Sequence, residues 1–138
     1  MEAHPQLEFI VIVNPSSGPG SSPYPDDKYT PQVEQLNGYP NVKTVGYVRT
    51  GYATRNITNV TAEVSTYAGW ASKSNSLVMH GVFFDEAPSQ YSAAAVEYMR
   101  TIDQAVKDAN GLQGNRTVRE PLSALIRHEA DHLSLHDR

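Results

Sequence analysis

Asp85 and Glu86 are adjacent carboxylates closing a β-rich run, Val-Met-His-Gly-Val-Phe-Phe over residues 78–84, and Ala87-Pro88 follows them. Such a run reads as a buried strand whose carboxyl end reaches solvent. The pair therefore sits at a strand tip, where parallel α/β folds collect ligand and catalytic groups because loops there vary over a packed scaffold. The alternative is that either carboxylate only caps the next helix or ends the strand with a charge. Tyr24, Tyr29, Tyr47 and Tyr52 fall in or near loops at other strand tips. Aromatic rings beside carboxylates suit stacking on sugar faces while acids handle the glycosidic oxygen, although tyrosine at a strand tip is also ordinary packing. A third candidate, His128-Glu129-Ala130-Asp131-His132, satisfies His-Glu-x-x-His. On a helix that spacing puts two imidazoles on one face to hold zinc. No cysteine ligand and no scaffold support it, so we expect no metal site there and no cofactor.

The strand–helix unit that would position Asp85 recurs along the chain. Residues 7–14 form an aliphatic run ending at Asn14-Pro15, and proline cannot continue a central ladder. Residues 42–50 repeat the pattern and end in Arg49-Thr50 before Gly51. Helical periodicity occupies the intervals: a short stretch at 31–36, then Ile57, Val60, Val64, Tyr67, Ala68 and Ala71 on one stripe. A longer stripe runs from Tyr91 through Ile102 to Ala109, with Ser89 as its expected cap and Asn110-Gly111 as its stop. Arg116-Thr117-Val118 begins another strand. Alternation of this kind predicts βαβ units, a parallel sheet and right-handed crossovers. The Gly/Pro/Ser-rich segment 16–29 carries neither a phosphate-loop nor a dinucleotide signature and reads as a long loop on the same face as Asp85.

Composition narrows the function classes. The chain has 138 residues, a net charge of -4 and no basic patch, which argues against nucleic acid. It has no run of about 18 apolar residues for a membrane span, and residues 1–6 lack the regions of a signal peptide, so no membrane partner is expected and the compartment stays open. Cysteine is absent, removing disulfides, thiolate sites and cysteine nucleophiles. Asn56, Asn59 and Asn115 begin glycosylation triplets that matter only in a secreted chain.

Three segments, Val-Ile-Val-Asn-Pro-Ser-Ser-Gly-Pro-Gly, Pro-Asn-Val-Lys-Thr-Val-Gly-Tyr-Val-Arg-Thr-Gly-Tyr-Ala-Thr-Arg and Gly-Val-Phe-Phe-Asp-Glu-Ala-Pro, resemble the spherulation-specific family 4 proteins of fungi and slime moulds. The resemblance runs from about Leu7 to Val118. It implies a (β/α)8 barrel and glycoside hydrolysis of galactosamine-containing cell-wall or biofilm polymers. By motif, Asp85 becomes the catalytic carboxylate and Glu86 its neighbour in the cleft. Asn14, Tyr47 and Arg49 match positions lining the same mouth, and Tyr52 adjoins them as a fourth substrate-binding candidate.

The family pattern has a strand ahead of Leu7, and after Val118 it continues differently and carries a second glutamate on a later strand. A complete barrel takes about 200 residues or more. The expected fold is therefore α/β, a partial (β/α)8 TIM-type barrel of about half the strands, over residues 1–118. A divergent tail at 119–138 is expected to be helical or disordered. Glycosidic cleavage needs two carboxylates about 5 to 9.5 Å apart across the scissile bond, and adjacent strand residues point to opposite faces. The chain is thus expected to be catalytically silent, either a hydrolase fragment or a non-catalytic sugar-binding remnant. Exposed inner faces at 9–13, 45–48 and 82–84, and unpaired terminal strands, would favour edge-to-edge self-association.

Overall fold

The computed structural model describes residues 7–88 and 90–119, and the backbone of 125–129 and 136–137. Four parallel strands, β1 (Phe9–Asn14), β2 (Val42–Arg49), β3 (Met79–Asp85) and β4 (Leu112–Val118), lie in the order β4-β3-β2-β1. Between them run α1 (Tyr29–Asn37), α2 (Ile57–Gly69) and α3 (Ala93–Asp108). The expected α/β alternation is present, with a parallel sheet and intervening helices.

Strand alternation sorts the sheet into two faces. Val13, Val48, Val82 and Phe84 pack with Val33, Val60, Val64, Tyr67, Ile102 and Val106 of the helices. This outer face sets one close approach by sequence: a Cβ at Gly46 would lie 2.5 Å from the Tyr67 ring, so glycine lets α2 lie directly on β2. The Tyr67 hydroxyl then donates to the carbonyl of Tyr47 at 2.8 Å, and burial pushes its pKa well up. Near the sheet's amino end, the imidazole of His80 accepts the backbone N–H of Thr44 at 3.1 Å.

The inner face carries Ile10, Ile12, Val45, Tyr47, Phe83 and Val118 as one cluster. Contrary to expectation it is not bare: Ile12 is 1% exposed, and Val45 and Phe83 are 0% exposed. Nor is β1 unpaired, since β5 (Leu125–Glu129) runs parallel beside it and β6 (His136–Asp137) pairs antiparallel with β5. The bare inner face and the open edge at β1 are thereby removed as grounds for self-association, whereas β4 remains the edge of the described sheet. The segment expected to be helical or disordered instead supplies strand backbone, because the open edge of β1 offers ladder partners to an aliphatic stretch such as Leu125-Ile126. His128 and Glu129 thus lie on a strand, without the helical spacing that a His-Glu-x-x-His zinc site requires; the rest of that motif lies outside the described residues.

Two boundaries also differ. The cap of α3 is Ser92, whose hydroxyl accepts from Ala95 N at 3.0 Å; Ser89 lies outside the described residues. β4 begins at Leu112, ahead of the expected Arg116, because a bulge accommodates Gly114 and Asn115, both at positive φ.

Candidate active site

The carboxyl end of the inner face gathers four of the six expected site residues. Asp85 closes β3, and its cross-strand partner in register is Arg49, which closes β2. Two residues earlier on β2, Tyr47 lies on the same face, and its hydroxyl donates to Asp85 Oδ2 at 2.7 Å. Asn14 closes β1 directly after the Val13–Gly46 register pair, which brings it beside Tyr47. Asp85 and Asn14 are half-buried, Arg49 is exposed and Tyr47 is 8% exposed. A carboxylate oriented by a buried phenol, with an exposed guanidinium opposite, can engage a neutral polyhydroxylated ligand through charge-assisted hydrogen bonds.

Asn14 also has a structural duty. Its side-chain oxygen accepts from Gly18 N at 3.0 Å, and its carbonyl accepts from the Tyr29 hydroxyl at 3.2 Å, so it shapes the start of the 16–29 loop. That loop does not carry all its aromatics to the mouth. Tyr29 is core, at 3% exposed. Tyr24 reaches past the C-terminus of α2, where its hydroxyl meets Ser72 Oγ at 3.0 Å and its ring faces Lys73 Nζ at 5.5 Å. Among the tyrosines expected near sugar, the mouth retains Tyr47 and Tyr52, the latter 61% exposed on the β2–α2 loop.

Glu86 departs from the expected geometry. Its φ is +58°, so strand alternation stops at Asp85 and gives no guide to the direction of Glu86. Tyr52 (φ +57°) and Ala53 (φ +67°) share the left-handed conformation in the facing loop. For residues with a Cβ that conformation costs about 1 to 2 kcal/mol each, and it persists only where surroundings over-determine it. The surroundings are explicit. Thr50, fully buried, donates its hydroxyl to the carbonyls of Asp85 (3.1 Å) and Glu86 (2.7 Å), and its amide donates to Asp85 O at 3.0 Å. The Tyr52 amide adds a bond to Glu86 O at 2.7 Å.

Behind this loop, Arg55 makes a two-pronged pair with Glu63 of α2 at 2.9 and 2.8 Å and donates to Arg49 O at 3.1 Å. The Glu63 hydrogen bond is the main cause that raises the Arg55 pKa, and the charge of Glu86 adds a minor contribution. The Tyr98 hydroxyl from α3 donates to Arg55 O at 2.6 Å, and burial raises its pKa. Sequence reasoning missed Thr50, Arg55, Glu63 and Tyr98, whose partners are mostly backbone carbonyls or lie on other elements. The loop glycine Gly51, at φ +60°, was the available signal.

A groove of about 620 Å³ opens beside the mouth rather than within it. It starts at Ala87 and Pro88 and follows the flank of α3 past Tyr91, Met99 and Lys107 to Arg119. Among the described residues, no group of three or more His, Asp or Glu side chains is arranged to hold a metal ion, and no helix is long and apolar enough to cross a membrane.

Comparison with known proteins completes the description of this mouth. Residues 1–121 match spherulation-specific family 4. Spherulin-4 of Physarum polycephalum is 38% identical over 105 residues, which are 76% of this chain and 29% of that protein. Sph3 of Aspergillus clavatus, whose crystal structure is in complex with GalNAc, is similar with a TM-score of 0.83 and 41% identity, over 86% of this chain and 48% of the Sph3 chain. The chain thus spans less than half the length of either relative.

Proposed function

The chain belongs to spherulation-specific family 4, and from that premise we propose that its β-strand mouth is the amino-sugar site of a glycoside hydrolase, carried on half of a (β/α)8 barrel. The observation that carries this reading is the Tyr47–Asp85 hydrogen bond opposite Arg49, at the strand ends of a chain similar to a protein crystallised with GalNAc.

In this reading Asp85 is the carboxylate that meets the anomeric centre, and the Tyr47 phenol fixes which of its oxygens faces the sugar. Arg49 and Asn14 supply hydrogen bonds to hydroxyl or acetamido groups. Tyr52 offers an exposed ring on which a sugar face can stack. Glu86 takes a positioning role beside Asp85, which Tyr47 orients.

Glycosidic cleavage needs a second carboxylate across the scissile bond, and in this reading Glu86, which directly follows Asp85 at the same strand tip, does not take that place. We therefore propose sugar recognition without turnover for this chain alone, the substrate class being galactosamine-containing polysaccharide.

Two measurements test this: calorimetric titration with GalNAc, and a reducing-end assay on a galactosamine polymer. Saturable binding that weakens about tenfold or more in Arg49→Ala, with no released ends, is the expected pair of results, the loss being that of a charge-assisted hydrogen bond. Absence of binding would refute the sugar site. Sugar release abolished by Asp85→Asn would refute the silent reading and make Asp85 catalytic in the chain as it stands.

A further inference from the structure

We infer that Thr50 is the positioning residue of the β3 tip: its buried hydroxyl locks the Glu86 peptide in the left-handed conformation and so fixes the backbone from which Asp85 and Glu86 project. The inference rests on the proposed role of the mouth for its meaning, but its geometry stands independently.

Thr50 closes two loops on one another. It follows the last residue of β2, yet its amide and hydroxyl both bond across to the end of β3, at Asp85 O and Glu86 O. A hydroxyl can donate only one proton at a time, and the shorter contact, 2.7 Å, goes to Glu86 O. The same carbonyl takes the Tyr52 amide at 2.7 Å, so two donors from the β2–α2 loop converge on it. A residue with a Cβ at φ +58° has little intrinsic reason to remain there. The two converging donors supply the reason.

The loop that presents those donors is itself held from behind. Arg55 N donates to Thr50 O at 3.1 Å, and the Tyr98 hydroxyl lies 3.4 Å from the same oxygen. The Arg55–Glu63 pair ties this loop to α2. Each polar group of Thr50 is therefore engaged within the fold, and its side chain acts on ligand only through Asp85 and Glu86.

The test compares Thr50→Val, nearly isosteric but without the hydroxyl, with Thr50→Ser, which keeps it. Hydrogen exchange at the Tyr52 amide reports the Glu86 turn, and 13C resonances of the Asp85 and Glu86 carboxyl groups report their surroundings. In Thr50→Val the amide is expected to exchange about tenfold faster or more, as one buried hydrogen bond is worth, and both carboxyl resonances shift; Thr50→Ser restores both. Adding Glu86→Gly to Thr50→Val recovers Tyr52 protection, because glycine adopts positive φ without steric cost. Should Thr50→Val fail to fold, Thr50→Ala gives the same comparison without pressing a methyl against the carbonyls.

Wild-type exchange and unshifted carboxyl resonances in Thr50→Val would overturn the inference, as would a Thr50→Ser protein that behaves like it. GalNAc titration of the same variants separates the two claims. Affinity lost in Thr50→Val and regained in Thr50→Ser supports both. If wild-type protein binds no GalNAc, the sugar reading falls, while exchange and carboxyl shifts still decide the role of Thr50.

Discussion

The two ends of the sheet's inner face carry charges on the same alternation, yet they use them differently. At the amino end, Glu8 ahead of β1 and Arg116 on β4 meet at 2.6 Å across the face, and the hydrogen bond from Arg116 holds the Glu8 carboxyl below its usual range. That pair answers itself. At the carboxyl end Asp85 is oriented by the neutral Tyr47 phenol, and the backbone around it is held left-handed at Tyr52, Ala53 and Glu86. There the half-buried Asp85 carboxylate takes its close hydrogen bond from a phenol, with the Arg49 guanidinium exposed on the neighbouring strand end, instead of the direct ion pair that Glu8 makes with Arg116. The comparison teaches where to look for function on a parallel sheet: at the end where conformational strain and oriented charge coincide.

The amino end should break hardest where backbones touch. A Cβ at Gly81 would lie 1.8 Å from the carbonyl oxygen of Arg116, so Gly81→Ala must push β3 from β4. Loss of about 3 kcal/mol or more is expected by chemical denaturation, because backbone rather than a movable side chain must give way. A midpoint near wild type would show that the close approach is not needed.

A smaller effect should follow pH through His80. Burial lowers its pKa from the ordinary 6.5, with Lys43 adding to the shift. The unfolded chain therefore takes up a proton before the folded one does. Stability is full above 6.5 and declines as pH falls from there toward the lower folded value. Denaturation midpoints across that range should show the decline, and His80→Gln should flatten it; an identical slope in the variant would remove His80 as the cause.

Least costly should be Glu8→Gln, which breaks the Glu8–Arg116 ion pair with both partners partly exposed. Exposed pairs are worth less than about 1 kcal/mol, so a thermal melt should barely move. A loss as large as that of Gly81→Ala would mean that the amino end, too, is held by charge.

What could be read in advance follows the same division. Burial periodicity announced β1, β2, β3, α2 and the body of α3, because aliphatic alternation and helical stripes are local patterns. The start of β4 was hidden, since Leu112-Gln113-Gly114-Asn115 looks like loop until pairing with β3 absorbs the bulge. The choice of Ser92 over Ser89 as cap turned on a few residues of helix phase. At the site, Asp85 was legible from its place after an apolar run, and Tyr47, Arg49 and Asn14 through resemblance. The left-handed turn at Glu86 was not, because its cause lies in Thr50 and Tyr52, more than thirty positions earlier in the chain. Cross-strand hydrogen bonds to backbone leave no mark in residue type.

The central claim is that the carboxyl end of the inner face receives an amino sugar. It is tested most directly by amide and side-chain NMR of the protein titrated with GalNAc. The account predicts saturable shifts centred on Asn14, Tyr47, Arg49, Tyr52 and Asp85, lost in Asp85→Ala while the melting temperature holds. Shifts confined to the α3 groove around Tyr91 and Met99, or none at all, would contradict it.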